Sequence, residues 1–307
     1  MGCLFCEIRK DFCMKRKWLS LLLALCLLAG ACTPATPTAA DPKKSSDGDG
    51  KVSCMSFNIL AYNTGDSSFE DASVRSEGTL ATVKKYTPDI VGIQEATENY
   101  GRSDFDWLTF LQEGLGELYD SRAVIDEEDC SYSMMGIAAG LIIFYKKDRF
   151  ELKDSGCYEY AADPNRYYQW VELYDKSNKR ELVVTNTHLS IDNGNPEQGN
   201  EDRLSEAEEL LSFWKSKIGD RPMFATGDYN CNIYSDPQLH LQSDIYLPSA
   251  VLADPEGENS IDFCYMNKNC MKVTGYEYIE REYLAENGKT FMISDHHPVM
   301  TYAEYAD

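Results

Sequence analysis

An apolar run at residues 221–227 ends abruptly in an acid and an amide two residues apart, Asp228 and Asn230. Strand side chains alternate faces, so residues i and i+2 project together if the strand geometry holds to its end. A carboxylate beside a neutral amide at the mouth of a buried strand can activate water next to an anionic substrate. Gly, Asp and Asn are also favoured in turns, and a turn accounts for the stretch equally well. The pattern recurs along the chain. Residues 52–57 read as a buried strand ending at Asn58, and residues 89–93 run apolar into Gln94 and Glu95. Residues 181–189 deliver His188, one of four histidines, and residues 291–300 set Asp295, His296 and His297 beside a short apolar strand. Asp262 interrupts the apolar run 260–266. A buried carboxylate needs a cation or a hydrogen-bond donor, unless its strand lies at an edge facing water.

Such residues must be held by strands separated by helices. Residues 71–86 read as a helix closed by Thr87-Pro88, and 104–117 as a second. In 199–217, Leu204, Ala207, Leu210, Leu211 and Trp214 fall at amphipathic spacing, and Gly219-Asp220 leads on to the strand before Asp228. That segment is a strand, helix, strand unit. Residues 118–125, 138–145, 150–158 and 167–174 carry β patterns, and the stretch beyond Asn232 reads as loop up to Ser260. Ligand sites in α/β proteins lie at strand carboxyl ends, where the polar residues above fall.

The chain has 307 residues, 43% hydrophobic and 26% charged, enough for a sizeable core. Its net charge of −22 repels polyanions and argues against general nucleic-acid binding, while leaving acids to hold a divalent cation. Met14-Lys15-Arg16-Lys17 and the apolar stretch to Cys32 have the layout of a secretory signal, preceded by an upstream extension. Ala29-Gly30-Ala31-Cys32 resembles a bacterial lipobox. The expected organisation is a signal segment at 1–31, a flexible tether at 32–50 and one domain at 51–307, extracytoplasmic and either secreted or anchored by lipid on Cys32. Cleavage before Cys32 removes five basic and two acidic side chains, taking the charge from −22 to −25. Six cysteines follow the tether, Cys54, Cys130, Cys157, Cys231, Cys264 and Cys270. An even number in an exported chain permits disulfides, with Cys264 and Cys270 the nearest pair, and buried thiols fit equally.

In their order, Ser56-Phe57-Asn58, Gln94-Glu95, Thr187-His188-Leu189, Gly227-Asp228-Tyr229-Asn230 and Ser294-Asp295-His296-His297-Pro298-Val299 resemble the motifs of the endonuclease/exonuclease/phosphatase superfamily. The resemblance implies a deoxyribonuclease I-like α/β fold, a four-layer α/β/β/α sandwich with two facing mixed sheets. It also implies a metal-dependent hydrolase of phosphate esters using Mg²⁺, with Mn²⁺ as a substitute. On that basis Glu95, Asn58 and Asp295 form the metal set. Asp228 orients and deprotonates the attacking water, and Asn230 fixes the phosphate. His296, held by Asp262, donates to the phosphoryl oxygens, and His188 contacts phosphate or assists the leaving group. Arg166 and Arg203 are isolated cations suited to phosphate contact or to surface ion pairs. The expected substrate is a nucleic acid, a lipid headgroup or a small phosphate ester, handled by a monomer. A reading of a different class is a catalytically silent surface-binding domain that keeps the fold.

Overall fold

Two strand, helix, strand crossovers set the plan of the molecule, because each forces two strands to run parallel with their carboxyl ends side by side. The computed structural model describes residues 48–97, 105–124, 140–242, 245–253 and 260–306. The expectations for the signal segment, for Cys32 and for Cys130 lie outside those residues, as does most of the tether. The first crossover joins β1 (Lys51–Asn58) through α1 (Ala72–Tyr86) to β2 (Ile90–Gln94), and Asn58 pairs with Gln94. The second joins β7 (Arg180–His188) through α3 (Pro196–Phe213) to β8 (Met223–Asp228), and His188 pairs with Asp228. Antiparallel partners complete two six-stranded sheets.

In the first sheet β1 is flanked on its other side by β14 (Val299–Tyr305), itself edged by β11 (Met271–Tyr278). Beyond β2 lie β4 (Ile142–Lys146) and β3 (Tyr119–Ala123), with α2 (Trp107–Leu115) on the outer face. In the second sheet β5 (Phe150–Glu159) and β6 (Tyr167–Asp175) precede β7, while β10 (Asp262–Asn267) and β9 (Tyr246–Pro248) follow β8. Between β8 and β10 come α4 (Asp236–Leu241) and α5 (Ser249–Ala253), short elements in a stretch that reads as loop from sequence. Further out, β12 (Glu282–Leu284) pairs with β13 (Thr290–Met292) as a small hairpin.

Three apolar clusters separate four layers. One joins α1 and α2 to the outer face of the first sheet, through Met55, Phe57, Ile93, Trp107 and Leu111. Another seats Ala207, Leu210, Leu211 and Trp214 against Val183, Met223 and Ala225 of the second. The third lies between the sheets, where Val52, Cys54, Ile90 and Ile143 meet Val171, Leu182, Val184 and Phe224. Fully burying a side chain of this kind is worth about 1.5–3 kcal/mol, so the three clusters together hold the sandwich shut. This is the four-layer sandwich expected from the motifs.

The inter-sheet space is polar at both ends. At one, the buried Arg149 guanidinium lies 2.9 Å from Asp89 and 2.7 Å from Asp175. At the other, just beneath the strand ends that carry the motifs, Gln94 Nε2 donates to Asn186 Oδ1 at 2.6 Å and Gly227 N to Ser56 Oγ at 3.1 Å. Thr226 Oγ1 donates to Asn186 Oδ1 at 3.0 Å. The sheets meet most closely here: a Cβ on Gly92 would fall 2.7 Å from the Cβ of Thr226.

Cys54, Cys231, Cys264 and Cys270 are free, so the nearest pair in sequence is not bridged, whereas Cys157 is disulfide-bonded. Among the described residues no helix is long and apolar enough to cross a membrane.

Candidate active site

Parallel pairing brings Asn58 and Glu95 to the edge of one sheet, and His188 and Asp228 to the facing edge of the other. Antiparallel β10 begins where β8 ends, with Asp262 opposite Asp228, and the loop before β14 supplies Ser294, Asp295 and His296. Because β10 runs between β8 and β9, Asp262 is interior, and the edge-strand alternative for it falls away.

Asn58 joins the two halves. Its Nδ2 donates to Glu95 Oε1 at 3.1 Å and to Asp228 Oδ2 at 2.9 Å, while its Oδ1 accepts from Leu60 N at 3.1 Å. The amide turns its nitrogen to the carboxylates and its oxygen to the backbone, and so ties Glu95 and Asp228 together. Glu95 Oε2 also accepts from Ala61 N at 2.9 Å. Both Glu95 (φ 68°) and Asn230 (φ 50°) are in the left-handed region, a strain of the order of 1–3 kcal/mol each that surrounding contacts must sustain.

Asn230 reaches the site by a turn and not by strand alternation. Its N–H donates to Asp228 Oδ1 at 2.9 Å and its Nδ2 to Leu189 O at 2.8 Å. The turn and the functional reading of that stretch thus coexist. His188 Nε2 stands 3.3 Å from Asp228 Oδ2, and its buried Nδ1 has no hydrogen-bond partner. Burial, with Arg166 and His296 nearby, pushes His188 well below the ordinary histidine range and leaves it neutral. His296 goes the other way. Burial opposes its charge, but Asp262, Asp228 and Asp295 outweigh that and raise it to about 10. Its Nδ1 bonds Asp262 Oδ2 at 2.7 Å, and its Nε2 lies 3.7 Å from Asp228 Oδ2 and 3.8 Å from Asp295 Oδ1. An imidazolium so held presents an N–H toward the space between the carboxylates.

The carboxylates crowd one another. Burial first, then Asp262, raises Asp228 to about 6, while His296 pulls the other way. Burial also raises Glu95, with Asp228 and Asp295 adding to it, and Asp262, with Asp295 and Glu95 adding to it. Asp262 Oδ1 is buried without a partner. Several mutually repelling buried carboxylates with an unused oxygen suit a hard divalent cation. Ligand atoms of Asp228, Asp262 and His296 lie within 4.8 Å of one another and could hold a metal ion.

Three arginines support the site. Arg75 is charged yet fully buried on the inner face of α1. Its five N–H groups donate to the carbonyls of Glu70, Ile59, Leu60, Tyr62 and Ile293, at 2.7–3.1 Å. It binds the loop after Asn58 to the segment before Ser294. Sequence reasoning missed it, because the buried face of α1 is largely small and polar, with Ser76, Gly78, Thr79 and Thr82, and a cation there breaks no apolar pattern. Arg203 is buried but makes the expected ion pair with the exposed Asp192, and Arg166 lies 3.9 Å from Asp163. Arg203 Nη1 donates to Ser190 O at 3.0 Å and its Nη2 to Asp192 Oδ1 at 2.8 Å. Arg166 Nη1 reaches His188 O at 3.4 Å, and its largely buried guanidinium feels both Asp228 and Glu95.

No family model matches the sequence, nor does any curated protein. Solved structures do. An endonuclease/exonuclease/phosphatase from Bacteroides vulgatus superposes with a TM-score of 0.66 at 24% identity, over 83% of this chain and 99% of that one. The mannosyl-6-phosphatase Bt3783 of Bacteroides thetaiotaomicron gives 0.65 at 20% identity, over 83% and 100%. The human Nocturnin catalytic domain, with bound sulfate, gives 0.65 at 19% identity, over 85% and 97%. With its two facing mixed sheets and flanking helices, this chain has the deoxyribonuclease I-like fold of the endonuclease/exonuclease/phosphatase proteins.

Proposed function

We propose that this protein is an exported, Mg²⁺-dependent phosphoesterase that hydrolyses a phosphate ester by attack of activated water. The observation that carries the reading is the meeting of Asn58 and Glu95 with His188, Asp228 and the Asp262–His296 pair across two sheets. Glu95 and Asp295 would hold the cation, which supplies charge neutralisation at a phosphoryl oxygen. Asp228, held by Asn58 and by the Asn230 N–H, accepts the proton of the attacking water. Its burial keeps it a stronger base than an exposed aspartate. His296, cationic at neutral pH and oriented by Asp262, donates to the oxygen on which charge develops. Neutral His188 holds Asp228 from the other side, and Arg166 adds positive potential behind it.

Monoesters and diesters both fit this chemistry. A neighbour named as a mannosyl-6-phosphatase favours including monoesters, and the acidic surface disfavours long polyanions. Export is supported by the signal-like segment before Cys32 and by the disulfide at Cys157, a bond that persists in oxidising compartments. The test is hydrolysis of bis(p-nitrophenyl) phosphate and of p-nitrophenyl phosphate, with Mg²⁺ or EDTA. Activity that needs the metal and falls at least about a thousandfold in Asp228→Asn supports the proposal. Equal rates in EDTA, or in Asp228→Asn, would refute it.

A further inference from the structure

Beside His296 the molecule opens into a cavity of about 760 Å³. Three of its lining residues, Asp262, Asp295 and His296, belong to the site above; the others used here are Ile261, Tyr278, Glu280 and His297. Its volume lies within the range of sites that enclose a whole small molecule.

The lining has a consistent polarity. His297 Nδ1 is 3.0 Å from the carbonyl of Ile279, and since a carbonyl only accepts, that nitrogen carries the proton. In the neutral ring Nε2 is then an acceptor. Glu280 and Asp295 are exposed carboxylates and also accept. No lysine or arginine is among the described residues lining the cavity, and Arg281 nearby donates its Nη1 to the backbone carbonyl of Asp295. Tyr278 stands edge-on to His297, ring centroids 6.2 Å apart at 90°, which fixes its ring as one wall, with Ile261 as an apolar neighbour. Apart from His296, whose N–H faces the carboxylate cluster, the described lining offers acceptors and an aromatic ring and no lysine or arginine, and so suits a group rich in hydrogen-bond donors with apolar C–H faces. It repels a second phosphate.

Building on the phosphoesterase reading, we infer that this cavity seats the alcohol portion of the substrate and that this portion is an uncharged, polyhydroxylated sugar. The scissile phosphate lies at the carboxylate and histidine cluster, with hydroxyls donating to Glu280 and His297 and one sugar face against Tyr278. A polynucleotide would bring further phosphates against Glu280.

The experiment compares Mg²⁺-dependent phosphate release by the full chain from glucose 6-phosphate, p-nitrophenyl phosphate and phosphocholine, with cleavage of a short oligonucleotide alongside. The expected result is a kcat/KM for the sugar ester at least tenfold above that for the aryl ester. Glu280→Gln and Tyr278→Ala should each cut that ratio at least fivefold, chiefly through KM. A ratio near one, or a preference for phosphocholine or the oligonucleotide, overturns the assignment. If no ester is hydrolysed, the phosphoesterase reading itself falls, and the cavity is judged by saturation-transfer NMR of free glucose on metal-free protein. A signal lost in Tyr278→Ala keeps the sugar site, and no signal in the unmodified protein ends it.

Discussion

Gly92→Ala tests whether the two halves of the site are set apart by backbone contact between the sheets. A Cβ at that position would sit 1.9 Å from Thr226 Oγ1, 2.7 Å from Thr226 Cβ and 3.1 Å from Asn186 Oδ1. Rotating Thr226 can relieve the first contact only by breaking its bonds to Asn186 Oδ1 and Thr185 O, at 3.0 and 3.1 Å. The second contact involves Cβ, so it yields only if one strand retreats, by about 1 Å to reach ordinary van der Waals distance. Overpacking costs about 1–3 kcal/mol, and each lost hydrogen bond about 1 kcal/mol. Together these give a destabilisation of about 3–5 kcal/mol, or a fall in Tm of roughly 6–20 °C for a domain of this size. Gly92 lies three residues before Glu95, and Thr226 two before Asp228, so the same retreat separates the carboxylates. A displacement of about 1 Å can cost on the order of a hundredfold in kcat. The assay is a double-mutant cycle by urea denaturation with Thr226→Gly, which removes the atoms in the way. In that background Gly92→Ala should cost less than about 1 kcal/mol. A single Gly92→Ala within about 0.5 kcal/mol of the parent, or a cost that persists in the Thr226→Gly background, would falsify the contact argument.

Glu206, which accepts from Ser190 N at 2.9 Å and Ser190 Oγ at 2.6 Å, is raised by burial to about 7. Its folded value exceeds its unfolded one, so its contribution to stability is complete below about pH 4.5 and is lost as pH rises through 7, roughly 3 kcal/mol in all. Urea midpoints at pH 5 and pH 8 should therefore differ less in Glu206→Gln than in the parent; an identical pH dependence would count against the buried carboxyl. The His296 ring, raised to about 10, should show no NMR titration between pH 6 and 8.5 in metal-free protein, and a midpoint near 6.5 would contradict the pairing with Asp262. Mg²⁺ should raise the Tm of the metal-free protein, by about 2.7 kcal/mol of stabilisation at a hundred times Kd, and Glu95→Gln should remove most of that gain. An undiminished gain in the variant would place the cation elsewhere.

The strand-end residues were legible because buried strands are short apolar runs, and a polar residue at their end breaks the pattern visibly. Asn58, Glu95, His188 and Asp228 all announced themselves that way, and parallel pairing, itself forced by the intervening helices, then gathered them. Asn230 was found for a reason that does not hold, since its left-handed backbone ends the alternation on which the argument relied. Residues 267–290 gave no pattern from which β11 was read, because its exposed and half-buried positions do not alternate cleanly and a bulge interrupts it between Val273 and Gly275. The inter-sheet polar layer of Ser56, Gln94, Asn186 and Thr226 was invisible in one dimension. Each of these residues meets its partners only after two sheets stack, and nothing local in the sequence marks that meeting. Arg75 was hidden too: the polar buried face of α1 does not set it apart, and the five carbonyls that satisfy it come from separate segments.

β1 is the first strand of its sheet in sequence, and its neighbour on one side is β14, built from residues 299–305. During synthesis β1 therefore emerges long before the strand that closes its edge. Until then it offers an unpaired backbone, and the loop carrying His296 does not yet exist. The first sheet cannot be completed in order of emergence, and the Asp262–His296 pair forms only when the chain returns to where it started.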